Sequence, residues 1–347
     1  AMQVAQRATS ATGVTANGYA TVDRFTATQT GTDDYIEQHQ VDVSSGTTPY
    51  TSGFRKAFQV KNGNQTSGAG AGDYIKVVNK LEAQDIANSG WDYTSASSFI
   101  TLSYWVKSSV AQTFFVRITS LDSPVYNFPF SYTVSANTWT KVTKAIPGNS
   151  NLVFNNDNGV GLDIEWTLFR GTNTTGSGAT LDTWAAYDSS QRQPDNTSTW
   201  YTTNDATWEI TGVQLEVGSV ATPFEHRSYG EQEIRCQRYY YRQSAEHQYM
   251  RYDCSGQCPS ANGAQFVFSL PVRQRANATI GYSALTDFYI YASNLQSKTP
   301  TAITLSAGST KSPMLSFDKS STFSAGAGAH LTTPNSQQGY IEFIAEL

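Results

Sequence analysis

An all-β architecture is predicted by three features of this 347-residue chain. Apolar and polar residues alternate in several runs, polar clusters rich in Gly, Asn, Ser and Thr punctuate those runs, and aromatic residues are abundant. There are 20 Tyr, 17 Phe and 7 Trp against 3 Met. Aromatic and β-branched side chains suit a pleated surface, and Gly and Asn suit the turns between strands. The apolar fraction of 39% is ample for a packed core, while the charged fraction is only 15%, so most of the surface is uncharged and polar. The length fits two domains or one large β domain.

Taken in order, RKAFQVKN and DYIKVVNK read as strands, and LEAQDIA (81–87) as a short helical turn. In SFITLSYWVKSS, Ile100, Leu102, Tyr104 and Val106 share one face; Phe99, Thr101, Ser103, Trp105 and Lys107 share the other. QTFFVRITS is a weaker strand of the same kind. NGVGLDIEWTLFRG sets Val160, Leu162, Ile164, Trp166 and Leu168 against Asp163, Glu165, Thr167 and Phe169. A period of two sustained over about nine residues is the mark of a half-buried strand. Clusters such as KNGNQTSGAGAGD and RGTNTTGSGAT supply the turns.

In WEITGVQLEVG the phase changes. Trp208 and Ile210 share a face, but after Gly212 the apolar positions become Val213, Leu215 and Val217. A slip of one residue at a glycine predicts a β-bulge or kink. The strand then stops before Pro223, which cannot donate to a ladder. Ser228 and Glu231 have the spacing of a capping box, so a short helix is expected from about 229 to 240. Alternation resumes in AQFVFSLPVRQR, in DFYIYAS, and in GYIEFIAEL, which carries Ile341, Phe343, Ala345 and Leu347 to the last residue. A strand there would pin the terminus in a sheet. The expected layout is a jelly-roll β-sandwich over 1–227, a linking helix over 228–242, and a smaller β-sandwich domain over 243–347.

The net charge of −5 offers no broad basic field, so nucleic acid is not expected as a partner. Residues 235–275 are a local exception: six arginines against Glu246 and Asp253 leave about +4. This reads as a solvated or interface-facing patch, with an anionic-ligand surface as the alternative. Three cysteines, Cys236, Cys254 and Cys258, are too few and too odd in number for a disulfide framework. CSGQC either closes a small bridged loop or holds free thiols, and a zinc site would need two further ligands at suitable spacing, so no metal and no cofactor are expected. No apolar run approaches about 18 residues, so no membrane insertion is expected. Ala1-Met2 reads as a scar of expression, and the chain is expected to be a piece of something longer.

Enzyme motifs are mostly missing: there is no HExxH, GxSxG, P-loop or GxGxxG after a strand. The one catalytic lookalike is LDIEW. Asp163 and Glu165 are two apart on a strand and point the same way, as paired carboxylates in glycoside hydrolysis do. The likeness to the acidic strand of jelly-roll glucanases is incomplete, because Gly161 stands where a further acidic residue belongs. The plainer reading is the outward face of a half-buried strand, and no catalytic activity is expected. Binding is the better expectation. A jelly roll like that of carbohydrate-binding modules can present aromatic rings to sugar faces, with polar side chains taking the hydroxyls. Trp105 and Phe169 lie opposite the predicted core sets, and Trp184, Tyr187, Trp200 and Tyr201 fall in a long polar segment without a strand pattern of its own. Tyr249, Arg251, Tyr252 and Asp253 cluster near a predicted turn of the second domain. Each set has a plain alternative, as cover for the sandwich edge or as a hairpin in a subunit interface.

GVQLEVGSVATPFEHRSYGEQEIRCQRYYYR closely resembles a segment of bacteriophage tail-fibre and related virion structural proteins, notably those of marine and cyanobacterial phages. QVAQRATS, GYATVDRF, SYWVKSSVAQTFFV, NTWTKVTKAIPG and NGVGLDIEWTL resemble successive strands of that family's N-terminal jelly roll. LPVRQRANATI and the final FIAEL resemble pieces of its C-terminal β domain. The resemblance covers most of the chain in the expected order. It departs at Ala8, where the pattern has Gly, and upstream of Gln3; the segments 170–207, 245–262 and 281–339 are individual. It implies a virion protein of the tail fibre, acting outside the host cell as a homotrimer joined to upstream fibre and tail proteins. Its implied partner is a host surface polysaccharide or lipopolysaccharide. The alternatives are a structural virion decoration or spacer without a ligand, and a polysaccharide depolymerase using Asp163 and Glu165.

Overall fold

In the computed structural model the described residues are 2–14, 18–292, 296–320, 323–334 and 338–347. The chain divides into two compact units, Ala1–Tyr229 with Leu347, and Gly230–Glu346.

The first unit contains twelve strands among the described residues: β1 Ser10–Ala11, β2 Phe25–Thr30, β3 Glu37–Asp42, β4 Lys56–Lys61, β5 Tyr74–Glu82, β6 Phe99–Ser108, β7 Gln112–Ser120, β8 Tyr126–Val134, β9 Thr140–Pro147, β10 Val160–Arg170, β11 Ala185–Ala186 and β12 Thr207–Val217. Three short helices join them: α1 Thr48–Thr51, α2 Ala83–Ala87 and α3 Thr199–Thr202. The strands form two six-stranded antiparallel sheets, ordered β1-β3-β4-β12-β6-β9 and β11-β8-β7-β10-β5-β2. The chain repeatedly crosses from one sheet to the other, as in a jelly roll. The alternating residues read from sequence meet between the sheets. Ile100, Leu102, Tyr104 and Val106 of β6 and Leu162, Ile164, Trp166 and Leu168 of β10 share one buried cluster. Tyr104 meets Trp166 edge-on at 5.8 Å, and Trp208 Nε1 donates to Tyr132 Oη at 3.0 Å across the layer. The indole nitrogen is thereby satisfied inside an apolar core, where an unmade hydrogen bond would cost about 1–3 kcal/mol.

The phase slip in β12 is real. Its pairing with β6 shifts register between Thr211 and Gln214, and Gly212 has φ +62°. A Cβ added at Gly212 would lie 2.6 Å from Phe54 Cζ. Glycine is needed there both for the left-handed backbone and for the close approach of a buried ring.

The helix α4, Tyr229–Gln237, lies in the second unit from its second residue onward. The strands of this unit are β13 Tyr240–Ser244, β14 Cys254–Ser260, β15 Gly263–Phe268, β16 Thr279–Tyr282, β17 Tyr289–Ala292, β18 Gln296–Lys298, β19 Ala302–Ala307, β20 Met314–Asp318, β21 Gly328–Thr332 and β22 Tyr340–Ile344. They form a three-stranded sheet, β13-β22-β16, and a seven-stranded sheet, β18-β17-β21-β14-β15-β20-β19. Phe343 and Phe268, 5.4 Å apart, link the two sheets within one core. The helix is shorter than the sequence predicts: the tyrosine run enters β13, where Tyr240 pairs with Ile344 and is fully buried. The last strand likewise ends at Ile344, not at Leu347. CSGQC is strand, not a closed loop, and all three cysteines are free. Four steps of about 3.3 Å put Cys254 and Cys258 beyond the reach of a disulfide.

Gly212→Ala should lower stability by roughly 2–4 kcal/mol, combining left-handed backbone strain with overpacking against Phe54. Denaturant unfolding measures this; a variant as stable as the parent would show that the bulge relaxes freely.

Candidate functional site

The two outer faces of the first unit have different fates. On the sheet containing β10, the face opposite the core is closed. Glu165 is fully buried there, yet three cations surround its carboxylate. Arg170 Nη2 lies 2.6 Å from Oε1, Arg117 Nη2 2.7 Å from Oε2, and Lys76 Nζ 3.0 Å from Oε2. Thr167 Oγ1 donates to Oε1 at 3.2 Å. The register explains the convergence: Glu165 sits opposite Arg117 on β7, while Lys76 on β5 pairs one step along, with Thr167. Burial pushes the Glu165 carboxyl up, but Arg117, Arg170 and Lys76 outweigh it and hold it well below the usual range. Asp163, two residues away, behaves oppositely. Burial raises its carboxyl, Arg117 opposes, Glu165 adds to the rise, and its Oδ1 is buried without a hydrogen-bond partner.

Part of the cover is the segment 171–206. The same segment also reaches into the core, where Tyr201 stacks on Phe169 at 4.4 Å and donates from Oη to Asp73 Oδ2 at 2.9 Å. Arg117 approaches the Tyr187 ring at 5.9 Å, and Arg192 approaches the same ring at 5.6 Å. The expectation that Asp163–Phe169 form a solvent-facing row is therefore corrected: Glu165, Thr167 and Phe169 are all buried.

The other sheet keeps an open depression on its outer face. A cavity of about 550 Å³ is lined by Ser52, Phe54, Ser103, Tyr104, Trp105, Lys141, Gly212, Ala221, Thr222, Pro223, Phe224 and His226. Phe54, Phe224 and His226 form an aromatic triad with centroid distances of 4.8, 5.1 and 4.9 Å. His226 Nε2 donates to Ser52 O at 2.9 Å, tying one wall to the loop after α1. The wall 219–226 is held to β12 by Thr222 N and Oγ1 donating to Glu216 at 2.9 and 2.6 Å, and by Glu225 N donating to Gln214 Oε1 at 2.8 Å. Hydroxyls of Ser52, Ser103 and Thr222 and the exposed Lys141 add polar character.

Of the aromatic candidates, Trp105 is half-buried in this cavity. The others do not join it. Trp200 is fully buried, with Nε1 donating to Thr207 O at 3.1 Å. Trp184 is buried against Phe128 and donates from Nε1 to Pro147 O at 2.7 Å. Phe169 enters the core because a register shift after Thr167 sets it opposite the inward-facing Ile75. Tyr201 is buried upon it. Tyr187 stays exposed at 38%. In the second unit, Tyr249, Arg251 and Asp253 are exposed, but Tyr252 turns inward against Phe288 at 5.7 Å, so the four share no surface. The basic stretch 235–275 is partly neutralised: Arg235 lies 3.2 Å from Glu231 and Arg242 lies 3.4 Å from Glu342. The sequence reading missed Phe54, Phe224 and His226. The Gly212 slip and the Pro223 stop were the available signals, since both reshape the chain beside the cavity.

No metal-binding group of three or more His, Cys, Asp or Glu side chains occurs among the described residues, and none of the described helices is long and apolar enough to cross a membrane. No protein-family model matches the chain, and no curated protein matches its sequence. Among solved structures, it is similar to the enzymatically active domain of bacteriophage CBA120 tailspike protein 4, at 11% identity and a TM-score of 0.31 over 56% of this chain. It spans only 19% of that tailspike domain's length. It is also similar to a xylan-binding domain from Paenibacillus barcinonensis, at 10% identity and a TM-score of 0.28, covering 56% of this chain and 87% of that one. A third is the N-terminal cellulose-binding domain of Cellulomonas fimi β-1,4-glucanase C, at 14% identity and 0.28, covering 56% and 90%.

Glu165→Gln should destabilise the protein by about 3–5 kcal/mol, because it leaves buried cations without their counter-charge. Asp163→Asn should be neutral or stabilising at pH 7. The pH dependence has opposite signs. Glu165 contributes stability that is complete above its ordinary value of 4.5 and is lost as pH falls through its lowered native value. Asp163 favours the fold below its ordinary 3.8 and loses that contribution as pH rises through its raised value. Melting curves of both variants from pH 3 to pH 8 separate the two; equal effects would contradict this charge assignment. Trp200→Ala should cost about 3–5 kcal/mol, as for any large ring removed from a core. A melting temperature close to the parent's would instead mark Trp200 as a surface platform.

Proposed function

We propose that this chain is a receptor-binding protein of a phage tail fibre, which attaches the virion to its host by binding a surface polysaccharide or lipopolysaccharide. The observation that carries the binding reading is the open cavity at Trp105. It combines a half-buried indole, a second aromatic wall at Phe224 and His226, three hydroxyl side chains and one exposed amine. Apolar rings beside a few convergent polar groups suit a sugar, whose ring presents C–H faces edged by hydroxyls. The virion role is supported by the resemblance of the sequence to tail-fibre proteins across most of its length. A binding role without hydrolysis is supported by the state of Glu165. A carboxylate fully buried and paired to three cations is poorly placed to transfer protons to a glycosidic oxygen.

In this reading the chain works as a homotrimer at the fibre tip, joined to upstream fibre and tail proteins. Weak sites on three chains, repeated over several fibres, then combine through effective concentration.

Fluorescently labelled protein should decorate susceptible cells, and a glycan array should report binding to a host surface polysaccharide. Trp105→Ala should weaken that binding roughly tenfold or more, about 1.4 kcal/mol, while the variant still unfolds cooperatively. A folded Trp105→Ala protein that binds like the parent removes the site. A parent that binds no host glycan and labels no cells removes the function and leaves a structural spacer. Light scattering at micromolar concentration should give three times the chain mass, and a stable monomer would count against the fibre assembly.

A further inference from the structure

The closed face of the β10 sheet carries more positive charge than its own carboxylates balance. Lys76, Arg117 and Arg170 all converge on the single Glu165. Arg192 adds a fourth cation from the segment 171–206. Its guanidinium has no carboxylate within ion-pair distance among the described residues, and its Nε is buried without a partner. The acids of the same segment turn to neutral donors and form no ion pair with it: Asp188 accepts from Ser190 N at 2.8 Å and Oγ at 2.7 Å, and Asp195 accepts from Thr175 Oγ1. Burial lowers the proton affinity of Arg192, and the like charges of Arg170 and Arg117 lower it further. With Glu165 and Asp163 both ionised, the four cations of this group still leave a surplus of two positive charges over its two acids.

A guanidinium costs free energy to desolvate and costs more beside like charges. In place of an ion pair, Arg192 makes a ring contact with Tyr187 at 5.6 Å. The Arg117 guanidinium, only 4% exposed as a residue, approaches the same ring at 5.9 Å and has its own Nε unpartnered. Tyr187 thus stands between an ion cluster and solvent, with Arg192 as the reachable cation beside it. A planar guanidinium held in place over a ring presents paired N–H donors in fixed geometry, which matches an oxyanion in two-point contact.

We propose that Arg192, positioned by Tyr187 and backed by Arg117 and Arg170, is a binding site for an anionic group, a carboxylate or phosphate, on the polysaccharide that the protein recognises. The anion supplies the counter-charge that the cluster lacks. The site is separate from the Trp105 cavity, which lies on the other sheet. That the anion belongs to a polysaccharide rests on the function proposed above; the anion site itself does not.

The test uses sodium glucuronate and sodium phosphate as probes, each compared with sodium chloride at equal ionic strength. Calorimetric titration and melting temperature are the readouts on the whole chain. The parent should bind at least one probe and melt higher in its presence. Arg192→Gln should fold, should melt as high as the parent or higher in chloride because a repelled cation is gone, and should bind the probe at least tenfold more weakly. Lys141→Gln, in the other cavity, should leave the anion effect intact. Response to glucuronate alone assigns a sugar carboxylate, response to phosphate alone a phosphorylated sugar, and response to both a general oxyanion site. No anion-specific effect in the parent, an effect retained in Arg192→Gln, or a marked loss of stability in chloride that identifies Arg192 as a packing residue, each overturns the proposal. Loss of neutral-glycan binding in Trp105→Ala with the anion effect preserved would show the two sites to be independent.

Discussion

A carboxylate with no solvent exposure, held by three cations from β5, β7 and β10, organises the first unit. Glu165 could not be buried alone: an isolated ion in a medium of low dielectric is too costly, and such a group would take up a proton instead. Arg117, Arg170 and Lys76 reverse that outcome. Because they reach Glu165 from its own strand and both neighbouring strands, the pairing also fixes which side of the sheet each strand turns outward. A one-residue slip in any of the three would move a charge into the apolar layer between Trp166 and Tyr104. Buried ion pairs add little net stability over apolar packing, but breaking one is severe, so the cluster acts chiefly on register and uniqueness.

The consequence is an asymmetry between the two sheets. Closing the outer face of one sheet requires chain to lie over it, and part of the segment 171–206 does so, with Tyr187 beside Arg117. The aromatic rings of that segment are consumed mostly by packing, Trp184 and Trp200 included. On the other sheet the outer face is bordered by the short wall 219–226, clamped by Glu216 and Gln214, and a depression is left between that wall and Trp105. The same wall belongs to the stretch that joins the jelly roll to the helix α4. A segment whose sequence reads as architecture therefore also shapes the Trp105 cavity.

The fold was largely readable because its signals are local. Alternation in β6 and β10 gave the inward rows correctly, and the slip at Gly212 located a bulge that the register confirms. What could not be read is whether the opposite row meets water or protein. Asp163, Glu165 and Thr167 show the same polar alternation in either case, and the difference lies in residues far along the chain that fold over them. For the same reason Trp200 and Trp184, set in a polar stretch, looked like exposed platforms. Their indole nitrogens in fact donate to Thr207 O and Pro147 O inside the unit. Phe169 misled through a register shift without a glycine to announce it. In the tyrosine run at 239–241, helical spacing from the preceding turn and strand propensity of the tyrosines conflicted, and pairing with β22 decided it.

The distribution of charge completes this picture. A protein with few charged residues has spent four cations and two acids on one patch of one sheet, while the Trp105 cavity holds a single exposed amine. If the cluster served only to fix register, Glu165 with Arg117, Arg170 and Lys76 would suffice. Arg192 exceeds that need, because it repels Arg170 and Arg117 and has no carboxylate within ion-pair distance among the described residues. Uncompensated charge in a folded protein is tolerated where binding recovers its cost, since a ligand that binds only the native state adds its own stabilisation. On the function proposed above, the two outer faces would divide recognition by chemistry: the open face offers rings and hydroxyls to neutral sugar, and the closed face offers a poised cation to acid.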